Sequence, residues 1–188
     1  MNKEKEIHQS IRRKEREEIL KQEFEVTLYD RITRYLQVNQ AKIIPYHYFA
    51  EASRECIFIF QDGHFYGCIS LTQAVAEAIV KLLCKKNGWK PTDNFEKNVS
   101  VLHNREFISK KLKDNFSKIW RDRNNYLHLN NKVQVDDQKL AELAKAKICL
   151  LAEIEKEIFD FTISNAGSIK PKYPKYWETE HKVYLRFE

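Results

Sequence analysis

Glycine and proline are scarce, with four of each in 188 residues. A sandwich or barrel places these residues at its many tight turns, so their scarcity excludes a turn-rich all-β chain and favours long helices. Cysteine is sparse as well. Cys56, Cys68, Cys84 and Cys149 stand far apart among apolar residues, with no CxxC pair and no Cys/His cluster at zinc spacing. They read as small core residues in a reducing compartment. His47, His64 and His181 show no metal spacing with carboxylates, so neither a metal nor a cofactor is expected. No run approaches the roughly 18 apolar residues a membrane span would need. The stretch MNKEKEIHQSIRRKEREE lacks the apolar core of a signal peptide. The expectation is a cytoplasmic protein with no membrane partner.

Charge is what the chain has in quantity. Lys and Arg number 33 against 27 Asp and Glu, a net charge of +6 with a pI near 9.0. That excess suits a polyanionic partner such as RNA without identifying one, since a lysine-rich solubilising surface has the same composition. Hydrophobic residues at 43% are enough for a globular body, and the length suits one domain with an arm or tail.

Periodicity divides the chain. Residues 3 to 37 are dense in Glu, Lys and Arg and gain Ile19, Leu20, Phe24, Val26, Leu28, Ile32 and Leu36, which predicts a helix solvated early and docked later. Pro45 is placed to open a second helix reaching Gln61, and Asp62-Gly63 ends it. A third helix carries Phe65, Ile69, Ala76, Ile79, Val80 and Leu83 and stops at Asn87-Gly88. Residues 89 to 103 read as a loop with one short helical turn. A fourth helix starts near Asn104, its cap, and runs through Phe107, Ile108, Leu112, Phe116, Ile119 and Trp120. LNNKVQVD, residues 129 to 136, reads as a polar break.

The last long helix spans about 136 to 164, capped by Asp136 or Asp137. Its stripe is Leu140, Leu143, Leu150, Leu151, Ile154, Ile158 and Phe161, with Lys147 the one exception. Beyond Gly167, Val183, Leu185 and Phe187 alternate with Lys182, Tyr184 and Arg186, a period of two that fits a short strand or a docked tail. The fold class is therefore all-α, an antiparallel bundle of four to five helices. It divides into a charged N-terminal helical arm (1–40), a helical body (41–165) and a basic, aromatic tail (166–188).

The densest set of chemically capable side chains is IWRDRNNYLHLNN, residues 119 to 131. Cleaving RNA without a metal needs a group that titrates near neutrality and a fixed cation for the charge gathering on the phosphate. Histidine supplies the first and arginine, with its planar fork, the second. His128 follows Arg121 by seven positions and Arg123 by five, with Asn124 and Asn125 between to orient phosphate or ring. On one continuous helix, at about 100° per residue, Arg121, Asn124, Asn125 and His128 share a face. Arg123 then lies about 140° from His128 and needs a bent helix end, its own length or a second subunit to join them. The structural alternative gives His128 a place near a helix C-terminus, where the dipole favours it, and gives the arginines exposed pairing with Asp122 or a neighbouring helix.

These residues resemble the HEPN superfamily, whose hallmark is Arg, four to six intervening residues, then His, with a polar residue often after the Arg. RNNYLH, from Arg123 to His128, fits the short form with Asn124 in the polar place. RDRNNYLH, from Arg121, fits the long form with Asp122. Ile119-Trp120 before the motif and a long helix after it are also similar, and the resemblance covers roughly residues 45 to 165. It implies a metal-independent endoribonuclease leaving a 2′,3′-cyclic phosphate, and a homodimer in which Arg123 and His128 of both chains form one composite site. It further implies a toxin–antitoxin or antiviral-defence setting, with an antitoxin or defence-complex subunit as partner. Some members are instead inactive binding modules, and a nucleotide-binding regulatory domain is a third reading of the same residues. HEPN toxins modified on Tyr often carry it two positions after the His; this chain has Asn130 there, which weakens the case for a Tyr-modifying antitoxin.

Other candidates stand further out. Glu77, alone in TQAVAEAIV, is placed to hold Arg121, Arg123 or His128 across the bundle, or else is one solvent-facing position of an amphipathic helix. His103, Asn104 and Arg105 could contact phosphate. Lys170, Lys172, Tyr173, Lys175, Tyr176 and Trp177 mix cations with rings, which suits either stacking on unpaired RNA bases or packing of the tail on its own bundle.

Overall fold

The computed structural model describes residues 2–45, 47–127, 136–165, 167–177 and 183–186. It is mostly helical with short antiparallel strands. The elements are α1 (Asn2–Leu36), β1 (Ile43–Pro45), α2 (Ala50–Gln61), α3 (Phe65–Lys86), α4 (Phe95–Asn104), α5 (Lys110–Trp120), α6 (Arg123–Leu127) and α7 (Asp137–Ile158). After α7 come β2 (Phe161–Ile163), β3 (Ile169–Pro171), a 3-10 turn (Pro174–Tyr176) and β4 (Val183–Leu185).

The core is organised around α3, which packs against α2, α4, α5, α6 and α7. Ile69, Ala76, Ile79, Val80 and Leu83 recur at helical spacing and all are fully buried. Against the expectation that no run approaches a membrane span, α3 is long and apolar enough to cross one by length and composition, and 61% of that apolar window is buried inside the fold. Cys56, Cys68 and Cys84 are buried as the sequence suggests, whereas Cys149 is only partly buried. Burial pushes the Cys68 thiol up to about 12 and Cys84 to about 11.

Four boundaries differ from the sequence reading. Pro45 does not open a helix; it ends β1, which pairs antiparallel with β4, and α2 starts at Ala50. The expected loop at 89–103 contains α4, capped by the Asn94 side chain accepting from the Lys97 amide. Asn104 is the last residue of α4 rather than a cap. The chain breaks at Arg105–Ser109, where Glu106 takes a φ of 56° and the Phe107 amide returns to the Leu102 carbonyl; Ser109 then caps α5. Finally, α7 starts as expected under an Asp136 cap but ends at Ile158. Phe161 leaves the helical stripe for a hairpin in which β2 pairs β3.

The arm is the largest departure. Residues 5 to 30 are all exposed, so Ile19, Leu20 and Phe24 do not dock. At its C-terminal end Arg31 pairs with Asp62, just past α2, at 2.7 Å, and Arg34 Nε donates to the Gln61 carbonyl at 2.8 Å.

The tail, by contrast, belongs to the body. Tyr176 and Trp177 are buried, and Trp177 meets Phe159 and Phe161 edge-on. In β4 the alternation places Leu185 outside, while Arg186 just beyond it is buried. Its guanidinium donates to both Glu155 carboxylate oxygens (2.8 and 2.9 Å), to Ser53 Oγ (2.7 Å) and to the Ala41 carbonyl (3.0 Å). Ser53 Oγ also donates to Glu155. Charge can be buried here because the guanidinium and the carboxylate pair with each other, although Arg186 Nε is buried without a partner among the described residues.

Candidate functional site

The arginines predicted to carry the chemistry lie where α5 stops. The helix does not run through the motif. Trp120 is its last residue, Arg121 is extended (φ −54°, ψ 140°) and Asp122 is left-handed (φ 61°). Helix α6 then restarts at Arg123. The continuous-helix arithmetic that grouped Arg121, Asn124, Asn125 and His128 on one face therefore fails, and the bend offered as one way to place Arg123 is present. Arg121 and Asp122 are exposed and Arg123 is half-buried. His128 and the side chain of Asn124 lie outside the described residues.

The break is pinned from behind. Lys147, the exception in the α7 stripe, is buried at 2% exposure. Its Nζ donates to the Ile119 carbonyl at 2.6 Å and to the Arg121 carbonyl at 2.9 Å. Gln73 of α3 donates to the same Ile119 carbonyl at 3.1 Å. A helix C-terminus leaves such carbonyls without intrahelical partners, and a cation there also suits the dipole. Burial lowers the Lys147 pKa to about 8; Asp122 acts against that and Arg121 with it.

The front is organised by rings. The Arg123 guanidinium lies 4.6 Å from the Trp120 ring centre, and Trp120 stacks on Phe95 at 4.1 Å with an interplanar angle of 11°. Arginine, indole and phenyl thus form one pile that restricts where the guanidinium can point. In α6, the Asn125 amide donates to the Asp122 carbonyl at 3.0 Å. Tyr126 is half-buried, and burial, with Asp122 second, pushes its phenol above the usual range.

The remaining candidates are elsewhere. Glu77 is held by Lys81 at 2.7 Å along its own helix, not by a motif arginine, as an amphipathic position would be. Arg105 is exposed over the Trp89 ring at 4.9 Å. Lys172 pairs with Asp160 at 2.9 Å, and Tyr173 lies 6.0 Å from Tyr176, ring to ring. Lys175 donates to the Phe107 carbonyl at 2.9 Å and covers the Phe107 and Tyr176 rings. Tyr176 and Trp177 turn inward, so Trp177 offers no ring for a base, while Lys172, Tyr173 and Lys175 stay exposed. Self-packing therefore describes Tyr176 and Trp177, whose rings are buried.

A cleft of about 390 Å³ includes His103, Ser109, Glu157, Tyr173 and Lys175. Its polar groups serve structure: Ser109 Oγ caps α5 and donates to Glu157 at 2.9 Å. Sequence reasoning missed Lys147 as part of the motif's support. The available signal was a lysine in the middle of an otherwise apolar stripe. Comparison with protein-family models, with curated proteins and with solved structures gives no match for this chain.

Proposed function

We propose that this chain is a metal-independent endoribonuclease of the HEPN type, a four- to five-helix bundle that works in the cytoplasm as a homodimer. Arg123 and His128 are the catalytic pair, with Arg121, Asn124 and Asn125 supporting them. One observation carries the reading. The chain breaks at Arg121-Asp122, is anchored there by Lys147 and Gln73, and carries an exposed Arg121 and an Arg123 stacked on Trp120 just ahead of His128 in sequence. An imidazole takes the 2′-hydroxyl proton, the 2′-oxygen bonds to phosphorus, and the bond to the 5′-oxygen breaks with proton return. The arginines stabilise the extra phosphate charge. The products are a 2′,3′-cyclic phosphate and a 5′-hydroxyl end. Such an activity suits a toxin or defence effector restrained by a partner subunit.

The test is incubation with total RNA in excess EDTA, alongside His128→Ala and Arg123→Ala. Cleavage that persists under chelation and is lost in both variants supports the enzyme; the same background in all three rejects it. A second reading, a non-catalytic helical module that dimerises or holds a partner, draws on the stacking of Arg123 upon Trp120, which gives that guanidinium a packing role of its own.

A further inference from the structure

Helix α1 is continuous over 35 residues, about 52 Å at 1.5 Å per residue. Among the described residues, 5 to 30 are all exposed to solvent. A heptad seam runs along it: Ile7, Ile11, Lys14, Glu18, Lys21, Glu25, Leu28 and Ile32, at alternating steps of four and three. The apolar residues at its two ends stand open to solvent, Ile7 at 59%, Ile11 at 49%, Leu28 at 39% and Ile32 at 49%. The four positions between them alternate in sign.

That order is its own complement when reversed. Laid antiparallel on an identical helix with residue numbers summing to 39, Ile7 meets Ile32, Ile11 meets Leu28, Lys14 meets Glu25 and Glu18 meets Lys21. Every layer joins an a position to a d position, as antiparallel helix pairs require. Arg16 also falls opposite Glu23. A parallel pair would instead set Lys14, Glu18, Lys21 and Glu25 each against its own like charge, which is repulsive at every charged layer. From residue 7 to residue 32 the contact is about 39 Å long. It buries on the order of 1,500 Å² over both helices, the size of a stable specific interface.

We propose that α1 is a dimerisation arm that pairs antiparallel with α1 of a second copy of this chain. The apolar layers at the ends supply adhesion and the Lys–Glu layers between them fix direction. Within one chain Lys21 bridges Glu17 at 2.9 Å and Glu18 at 3.4 Å with its side chain 58% exposed, so it can reach a partner without leaving a buried site. The pairing uses no motif residue and stands whether or not the chain cleaves RNA.

The experiment is full-length chain in solution, by sedimentation, with two charge-reversed forms. In Lys14→Glu/Lys21→Glu the seam is wholly acidic, and in Glu18→Lys/Glu25→Lys it is wholly basic. Each alone is expected to self-associate roughly 100-fold more weakly than wild type, with helix content by circular dichroism retained. Mixed together they are expected to form a one-to-one dimer, because every charged layer becomes opposite again. Direction is read by disulfide trapping in a Cys149→Ser background. Ile7→Cys mixed with Ile32→Cys should cross-link, and Ile7→Cys alone should not. Monomers throughout, unchanged association in both reversed forms, or self-linking of Ile7→Cys would each overturn the proposal.

Discussion

The ammonium of Lys147 and the carbonyl oxygen of Arg121 lie 2.9 Å apart, joining the middle of α7 to the break between α5 and α6. Burial holds this lysine at about 8, against 10.5 for a free side chain. Between those values the unfolded chain binds more protons than the folded one, so the contribution of Lys147 makes stability rise with pH from about 8 to about 10.5 and stay level below 8. Lys147→Met removes that slope. Urea unfolding of both proteins at several pH values should show wild type gaining on the variant by up to about 3 kcal/mol across the interval. A gap that is constant with pH would rule out titration of this group in the folded state.

Arg123 is stacked on Trp120, so its charge and its shape can be separated. Arg123→Lys keeps the cation but loses the planar fork that lies on the indole and matches phosphate oxygens. Stability should fall by no more than about 1 kcal/mol, the worth of a partly exposed cation–ring contact. RNA cleavage in EDTA should fall at least about tenfold, a loss of about 1.4 kcal/mol in transition-state binding. If the lysine variant cleaves as fast as wild type, the fork has no role in phosphate recognition.

The Arg186–Glu155–Ser53 cluster ties the end of the tail to α7 and α2. Removing one partner leaves the other charge buried and unmatched, which costs about 3–5 kcal/mol. Arg186→Met should therefore be strongly destabilising in chemical denaturation. Arg186→Met combined with Glu155→Leu should recover most of the loss, because no lone charge is left. A double variant as unstable as the single one would mean that packing around Ser53, rather than the ion pair, holds the tail.

How much of this was legible in the sequence depends on what each residue reports. The spacing of Ile69, Ile79 and Leu83 reports burial directly, and α3 and most of α7 follow from it. The stripe in α1 reports only that one side is apolar, not that anything in the same chain covers it. Hence Leu20 and Phe24 were expected to dock and instead stand in solvent. Phe107 and Ile108 sit at helical spacing with Leu112, yet they belong to the break before α5. The deciding hydrogen bonds run back to Leu102 and have no residue-type signature. Arg186 has polar character at a strand position, and only the distant Glu155 and Ser53 explain its burial. At the motif, the chemistry of Arg121 and Arg123 was readable. The bend between them was not, since Asp at a left-handed position looks like any other exposed Asp.

That left-handed Asp122 can be tested in two independent ways. Its φ of 61° is tolerated by Asp and free for Gly, but a β-branched side chain there collides with the backbone. Asp122→Val should be about 1–2 kcal/mol less stable than Asp122→Gly, which loses the same carboxylate but adopts the native φ without strain. Asp122→Asn keeps the turn but removes the carboxylate that opposes the lowering of the Lys147 pKa. In that variant the rise of stability with pH should begin below about 8, shifting the foot of the Lys147 transition to lower pH at unchanged helix content. An unmoved foot would show that the Asp122 charge is not felt at Lys147. The bend would then be set by backbone geometry and the two carbonyl contacts alone.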